Sequence, residues 1–240
     1  MVESIYLAAT EAASGKSAVA LALLEHLGRR VGRVLPFRPI VPAVGEDALL
    51  DVLRARLGPE SPPTEDLCGV SYEEVHADLD AAMSDIVDRF HAVADRCDLV
   101  LVIGSDFSDI ATPTEFSVNA RIAANLGARM VLVLPTGERP ASGAAAAVDA
   151  ALAAAAENHA TVSGVVVNQV APTDVDRYAA AVAERVGPVP VVALPDVPLL
   201  RAPTMQDFAE ACDAVFVHSD PDLLDRECLG IVVAAMTLPH

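Results

Sequence analysis

Three observations predict an α/β fold with a three-layer, mostly parallel sheet. Short β-rich runs alternate with helical stretches along most of the 240 residues. Several of those runs, Leu99-Val100-Leu101-Val102-Ile103 most clearly, lack polar alternation, which marks strands buried on both faces. A 53% hydrophobic composition supplies core for one large or two small domains.

The elements follow in order. Ile5 to Ala9 reads as the first strand and Gly15 to Arg30 as a helix, with Leu21, Leu24 and Leu27 on one face. Val34 to Phe37 is a second strand, closed by Pro39, and Glu46 to Leu57 is helical. Pro59, Pro62 and Pro63 then break the pattern. Ser71-Tyr72-Glu73-Glu74 carries a capping-box pattern and opens a helical stretch towards Asp95. After the strand at 99–103 come a helix over Ser117 to Leu126, a strand over Met130 to Leu134 and an alanine-rich helix over Ala141 to Ala156. Val165 to Val167, Thr173 to Val186 and Val191 to Leu194 complete the strand–helix–strand rhythm. Such alternation implies βαβ crossovers covered on both sides. Past Pro203 the character changes to a short helix over Gln206 to Ala211, a strand over Ala214 to Val217, an acidic stretch over Asp220 to Asp225 and an apolar run over Ile231 to Met236. The expected division is a domain over 1–205 and a short extension over 206–240 that opens a second unit.

Charge and cysteine usage narrow the function. With 16 Lys and Arg against 34 Asp and Glu the net charge is −18, which disfavours charge-driven binding to nucleic acid or an anionic membrane. The four cysteines form no CxxC pair and read as idle thiols of a reducing compartment. No apolar run reaches the ~18 residues needed to span a bilayer, and the acidic start Met1-Val2-Glu3-Ser4 is unlike a secretion signal. A cytoplasmic protein is the expectation. The six histidines have no carboxylate partner pattern, and neither a Gly-x-Ser-x-Gly elbow nor an HExxH motif is present.

The most informative stretch is Ala9-Thr10-Glu11-Ala12-Ala13-Ser14-Gly15-Lys16-Ser17, between the first strand and the first helix. There, main-chain N–H groups converge at a helix N-terminus and the helix dipole favours an anion. Gly15 permits close approach of a phosphate, Lys16 supplies a point charge, and the Ser17 hydroxyl suits Mg²⁺. Residues 10–17 are therefore the candidate phosphate loop, although Thr10 stands where GxxxxGK[ST] has its first glycine. The alternative is a plain helix start with Lys16 solvated. Asp47, after the second strand, is a candidate metal ligand, direct or through water. Asp106 and Asp109, at the carboxyl edge after a buried strand, form either a second phosphate- or metal-facing loop or an ordinary Asx turn. Asn168 ends a strand where its amide could read a base edge, or simply closes a turn.

These residues carry a resemblance. The loop is similar to the GTDTxVGKT loop of dethiobiotin synthetases, in which threonine also replaces the first glycine. Phe37-Arg38-Pro39-Ile40, Glu46-Asp47-Ala48-Leu49 and Val165-Val166-Val167-Asn168 resemble further segments of that family; there the aspartate holds Mg²⁺ and the asparagine contacts adenine. Over essentially the whole chain the closer resemblance is to the N-terminal region of long-form phosphate acetyltransferases, especially those of actinobacteria. Tyr6-Leu7-Ala8-Ala9, Val102 to Phe107, Pro113 to Asn119 and Pro198 to Thr204 carry it. The tail, Asp225-Arg226-Glu227 and 231–239, looks like the opening of a DRTGG domain.

Departures bear on activity. The glutamate that binds Mg²⁺ in dethiobiotin synthetases is matched by Ile103, the carbamate-contacting threonine by Ala12, the substrate-contacting lysine by Arg38 and a nearby serine by Pro42. Losing a metal-bound carboxylate weakens phosphoryl transfer; Asp106, three residues on, could replace it only if the backbone turns back, the alternative being a solvated or capping role. The resemblance therefore implies a P-loop NTPase-like, non-catalytic module of a phosphate acetyltransferase, whose parent reaction interconverts acetyl-CoA plus phosphate with acetyl phosphate plus CoA. It would sense ATP or another nucleotide with Mg²⁺, or a metabolite, or help assemble a homo-oligomer. Its partners would be DRTGG and acetyltransferase domains beyond His240. The alternatives are a stand-alone ATP-dependent enzyme of the dethiobiotin-synthetase type and a structural domain with a vestigial loop.

Overall fold

The computed structural model describes residues 2–105, 112–218 and 220–230, without the side chains of 112–114. They fall into two compact units, 1–195 and 196–240.

The first unit is built on seven strands: β1 (Glu3–Ala9), β2 (Val34–Val41), β3 (Cys68–Ser71), β4 (Leu99–Ile103), β5 (Arg129–Pro135), β6 (Val162–Val170) and β7 (Val191–Pro195). They make one sheet in the order β3-β2-β4-β1-β5-β6-β7, and every neighbouring pair is parallel. Parallel strands need covered crossovers, and the helices supply them: α1 (Lys16–Gly28), α2 (Ala48–Leu57), α3 (Tyr72–Ala77), α4 (Leu79–Ala94), α5 (Thr112–Asn125), α6 (Ala141–Glu157) and α7 (Val175–Val186).

Period-two alternation divides each central strand between two cores. Leu7, Leu99, Leu101 and Ile103 pack with Val19, Ala20 and Leu24 of α1 and Leu53 of α2. Tyr6, Ala8, Val100 and Val102 face the opposite side, with Ile86 and Phe90 of α4, Ile122 of α5, Val148 of α6 and Val182 of α7. The continuous apolar runs thus read correctly as doubly covered strands. The chain leaves β1 towards β2 on one side and resumes at β5 on the other, so the carboxyl end of β1 is a switch point, where open α/β sheets bind ligands.

Four expectations differ from the structure. Pro39 does not close β2, which continues to Val41, because the strand changes neighbours: 34–37 pair with β4 and 38–41 with β3. β3 itself is four residues long and lacks a hydrophobic pattern. It docks because Gly69 has no Cβ; one added there would stand 2.2 Å from the Pro39 carbonyl oxygen. The helical stretch after Ser71 is two helices, since Asp78 takes extended backbone and caps α4 through its side chain. The Ser71–Glu74 capping box forms as read. Ala214 to Val217 is not a strand; Val215 is 88% exposed, with no neighbouring strand to bury it.

In the second unit, α8 (Met205–Ala211) opens on a capping box between Thr204 and Asp207. The main chain of 203–206 bonds to Leu224, Arg226 and Cys228. The apolar run at 231–236 lies outside the described residues. No described helix is long and apolar enough to cross a membrane.

Candidate functional site

The loop after β1 arrives at α1 through two residues in the left-handed region, Ala13 (φ 53°) and Gly15 (φ 75°). Gly15 is required there on two counts. Its φ suits glycine, and a Cβ would fall 2.3 Å from Asn168 Nδ2. The Gly15 carbonyl accepts the Ala18 and Val19 N–H groups (3.1 and 3.2 Å), starting the helix. Ser14 is buried, and its Oγ accepts the Lys16 N–H at 3.3 Å. Thr10 donates its N–H to the Val133 carbonyl of β5, while its Oγ1 is buried without a hydrogen-bond partner. Glu11 pairs with Arg139. Ala12, Ala13 and Ser17 are exposed.

Two neighbouring strand ends grip this loop. From β6, Asn168 Nδ2 donates to the Ser14 carbonyl (2.8 Å), and Gln169 Nε2 donates to that of Ala13 (2.9 Å). Thr136 fixes that side, its N–H donating to the Asn168 carbonyl and its hydroxyl to the Gln169 carbonyl (3.0 and 2.6 Å). Just past the end of β4, the carbonyls of Gly104 and Ser105 accept the Lys16 ammonium, and the side chain is only 3% exposed.

Beneath Lys16 lies a polar network. Asn119 of α5, 2% exposed, uses its whole amide. Oδ1 accepts from the Tyr6 hydroxyl (2.7 Å) and the Ser105 N–H (3.0 Å); Nδ2 donates to Ser105 Oγ (2.8 Å) and to the Glu115 carbonyl (2.9 Å). Two acceptor and two donor sites exhaust what an asparagine can offer. Gly104 leaves room for it, since a Cβ would lie 2.3 Å from Asn119 Oδ1. Burial pushes the Tyr6 phenol far above its ordinary range; Arg38 opposes that shift, while Glu115 and Tyr72 add to it.

Alongside, Arg38 and Asp47 form a buried ion pair, Nε to Oδ2 3.3 Å, with side chains 3% and 5% exposed. Asp47 Oδ1 also accepts the Leu50 N–H at 2.8 Å and so caps α2. Glu115 is wholly buried. Four ionisable side chains, Lys16, Arg38, Asp47 and Glu115, are withdrawn from water at one sheet edge; burying such groups is costly, and clusters of them gather where a protein has chemistry to organise.

The structure therefore brings together residues 10–17, Asn168 and the second strand's Arg38–Asp47 pair at the carboxyl edge of β1, β2, β4 and β6. Asn168 is placed against the loop main chain, and Asp47 against Arg38 and the start of α2. Asp106 and Asp109 lie outside the described residues. Among the described residues no group of three His, Cys, Asp or Glu side chains is disposed to hold a metal. The loop suits a phosphate better than the nearby carboxylates suit Mg²⁺, because Asp47 already serves two partners.

Sequence reasoning assigned no role to Tyr6, Ser105, Glu115 or Asn119. The available signal was the i, i+4 spacing of Glu115 and Asn119, which puts both on one face of α5. Their partners lie over a hundred residues away in the case of Tyr6.

Residues 3–204 match the model of a family described as AAA domain. Among curated proteins the chain is 29% identical over 251 residues to a phosphate acetyltransferase of Synechocystis sp., covering 100% of this chain and 36% of that protein. It is 28% identical over 254 residues to the phosphate acetyltransferase of Nitratidesulfovibrio vulgaris, covering 99% of this chain and 35% of that one. The chain thus spans about a third of the length of the curated relatives it matches, and corresponds to their N-terminal region. Two solved structures share the fold at 12% identity: apo McdA from Cyanthece (TM-score 0.52, covering 82% of this chain and 87% of that one) and a ParA family ATPase from Chlorobium tepidum (TM-score 0.51, 82% and 86%).

Proposed function

The chain belongs to the AAA domain family, and on that premise we propose that it is a nucleotide- or metabolite-sensing and assembly module of a phosphate acetyltransferase, not itself catalytic for acetyl transfer. The observation that carries the reading is the loop between β1 and α1: left-handed Gly15 under Asn168, with Lys16 buried at the same edge. Its main chain would hold the phosphates, Lys16 would neutralise them, and Ser17 would be the protein ligand to Mg²⁺. Asp106 would complete the metal's surroundings, and Asn168 would meet the base.

A sensor is favoured over a stand-alone enzyme by what replaces the dethiobiotin-synthetase machinery. Ile103 supplies no carboxylate. Arg38, at the position of a substrate-contacting lysine, is committed to Asp47 and is almost wholly buried. A ligand can regulate only through different affinities for two states. The Gly104 and Ser105 carbonyls receive Lys16, and Ser105 in turn bonds Asn119 of α5 through its N–H and Oγ, a route by which occupancy at the phosphate loop would reach α5. DRTGG and acetyltransferase domains of the same protein, and further copies of it in a cytoplasmic homo-oligomer, are the proposed recipients of the signal.

Calorimetry with ATP–Mg²⁺ and with ADP tests this. The expected result is binding without turnover, weakened at least tenfold by Lys16→Ala, since loss of one charge-assisted contact is worth about 1.4 kcal/mol or more. Sustained hydrolysis or carboxylation would assign an enzyme instead. Absence of binding, unaltered by Lys16→Ala, would leave only a scaffold.

A further inference from the structure

At the opposite end of the strands from the phosphate loop, α1, the turn into β2 and the end of α2 enclose an open cleft of about 760 Å³. That volume is within the range of small-molecule sites. Five of the 16 basic residues fall in two short stretches around it, Arg29, Arg30 and Arg33 in one and Arg54 and Arg56 in the other. In a chain of net charge −18 this is a local reversal of sign. Arg29, Arg33 and Arg56 line the cleft together with Glu25, Leu57 and Glu60.

The three guanidiniums hold their protein partners loosely. Arg29 and Arg56 approach opposite oxygens of the single Glu25 carboxylate, each at 3.9 Å, and Arg33 Nη2 reaches the Glu60 carbonyl at 3.5 Å. A guanidinium offers five donors, and close bidentate pairs with carboxylate or phosphate form at 2.7–2.9 Å. Among the described residues most of that capacity is unspent. Helix C-termini favour cations and account for part of the placement of Arg29 and Arg56. They do not account for Arg33, at the entry to β2, or for three such groups around one cleft.

The walls are fixed. Asp98 Oδ2 accepts the Arg33 N–H at 2.8 Å, and the Asp98 N–H returns to the Arg33 carbonyl at 2.8 Å. Gly32 (φ 98°) lets Asp98 sit where a Cβ would be 2.7 Å away. Across the cleft, Arg54 donates to the Pro62 carbonyl (2.6 Å) and to Thr64 Oγ1 (2.8 Å), holding the segment that carries Glu60. A scaffold ordered in advance reduces the cost of binding.

We propose that this cleft is a second, separate anion site, which takes a small phosphorylated molecule between Arg29, Arg33 and Arg56. Glu25 is its internal competitor: the incoming phosphoryl group takes the two guanidiniums that Glu25 now shares. The site is independent of the phosphate loop, so it stands or falls apart from the function proposed above.

The test uses inorganic pyrophosphate without metal, titrated into Lys16→Ala to remove the loop site, and followed by amide chemical shifts and calorimetry. Lys16→Ala is expected to retain one site, with shifts centred on 29–33 and 56–61. Adding Arg33→Gln and Arg56→Gln should weaken it at least tenfold, and adding Glu25→Gln instead should tighten it several-fold, with thermal melting checking that each variant is folded. The proposal is overturned if Lys16→Ala binds no pyrophosphate, or if the arginine variants bind as well as their parent. Sulfate binding as tightly as pyrophosphate, the mark of an adventitious anion only, would overturn it too.

Discussion

Replacing Asn119 by alanine should be among the most damaging single changes in the first unit. The substitution removes four hydrogen bonds and takes from the Tyr6 hydroxyl and the Ser105 N–H, both buried donors, the acceptor they share. Each such stranded group costs about 1–3 kcal/mol, so Asn119→Ala is expected to cost about 3–5 kcal/mol of a total that for most domains is only about 5–15 kcal/mol. Tyr6→Phe leaves Asn119 Oδ1 its second donor and should cost about 1 kcal/mol. Because the two side chains share a bond, the double variant should be less destabilised than the sum by at least about 0.5 kcal/mol. Urea unfolding of the four proteins measures all three quantities. A loss below about 1 kcal/mol for Asn119→Ala, or strict additivity, would refute the reasoning that this amide is a fully used hub.

Other outcomes follow from the same geometry. Gly104→Ala should imitate Asn119→Ala in urea unfolding, since the new methyl would strike Asn119 Oδ1 before any other group. Gly69→Ala should detach β3, seen as loss of hydrogen-exchange protection at 68–71 with the central strands unaffected, because the Pro39 carbonyl oxygen cannot retreat from the added methyl. The Ser71 main-chain and hydroxyl hydrogen bonds hold the Glu74 carboxyl below its usual range. A depressed carboxylate contributes stability that is present above its unfolded pKa and lost as pH falls through the folded one. Local fraying at the start of α3 should therefore appear only below about pH 4, read from the Ser71 amide, and lose this pH dependence in Glu74→Gln. Burial raises the pKa of the Cys68 thiol, whereas Cys212 is exposed. A thiol reagent at neutral pH should label Cys212 promptly and Cys68 only on unfolding.

Much of the architecture was legible because it is written in local pattern. Apolar runs without alternation marked β4 and β5, Ser71 and Glu74 announced their capping box three residues apart, and Gly15-Lys16-Ser17 between a strand and a helix identified the loop. β3 escaped because four residues containing a glycine carry no periodicity, and its existence depends on what Pro39 allows across the gap. The 214–217 strand was read from β-branched composition, but a strand needs a neighbour as well as propensity.

The amino-acid order by itself determined the alternation of strands and helices, and with it a parallel sheet with the 10–17 loop at the switch point. Folding alone decided that Asn168 would lie on Ser14, 154 residues away, and that Arg38 would spend its charge on Asp47. It also decided that Asn119 would join Tyr6, Ser105 and Glu115 beneath Lys16. The reason is physical: secondary structure reports forces between residues a few positions apart, which leave a period in the sequence. The pairing of buried polar groups is set by the need to satisfy each one wherever the chain has brought it, and that need leaves no local trace.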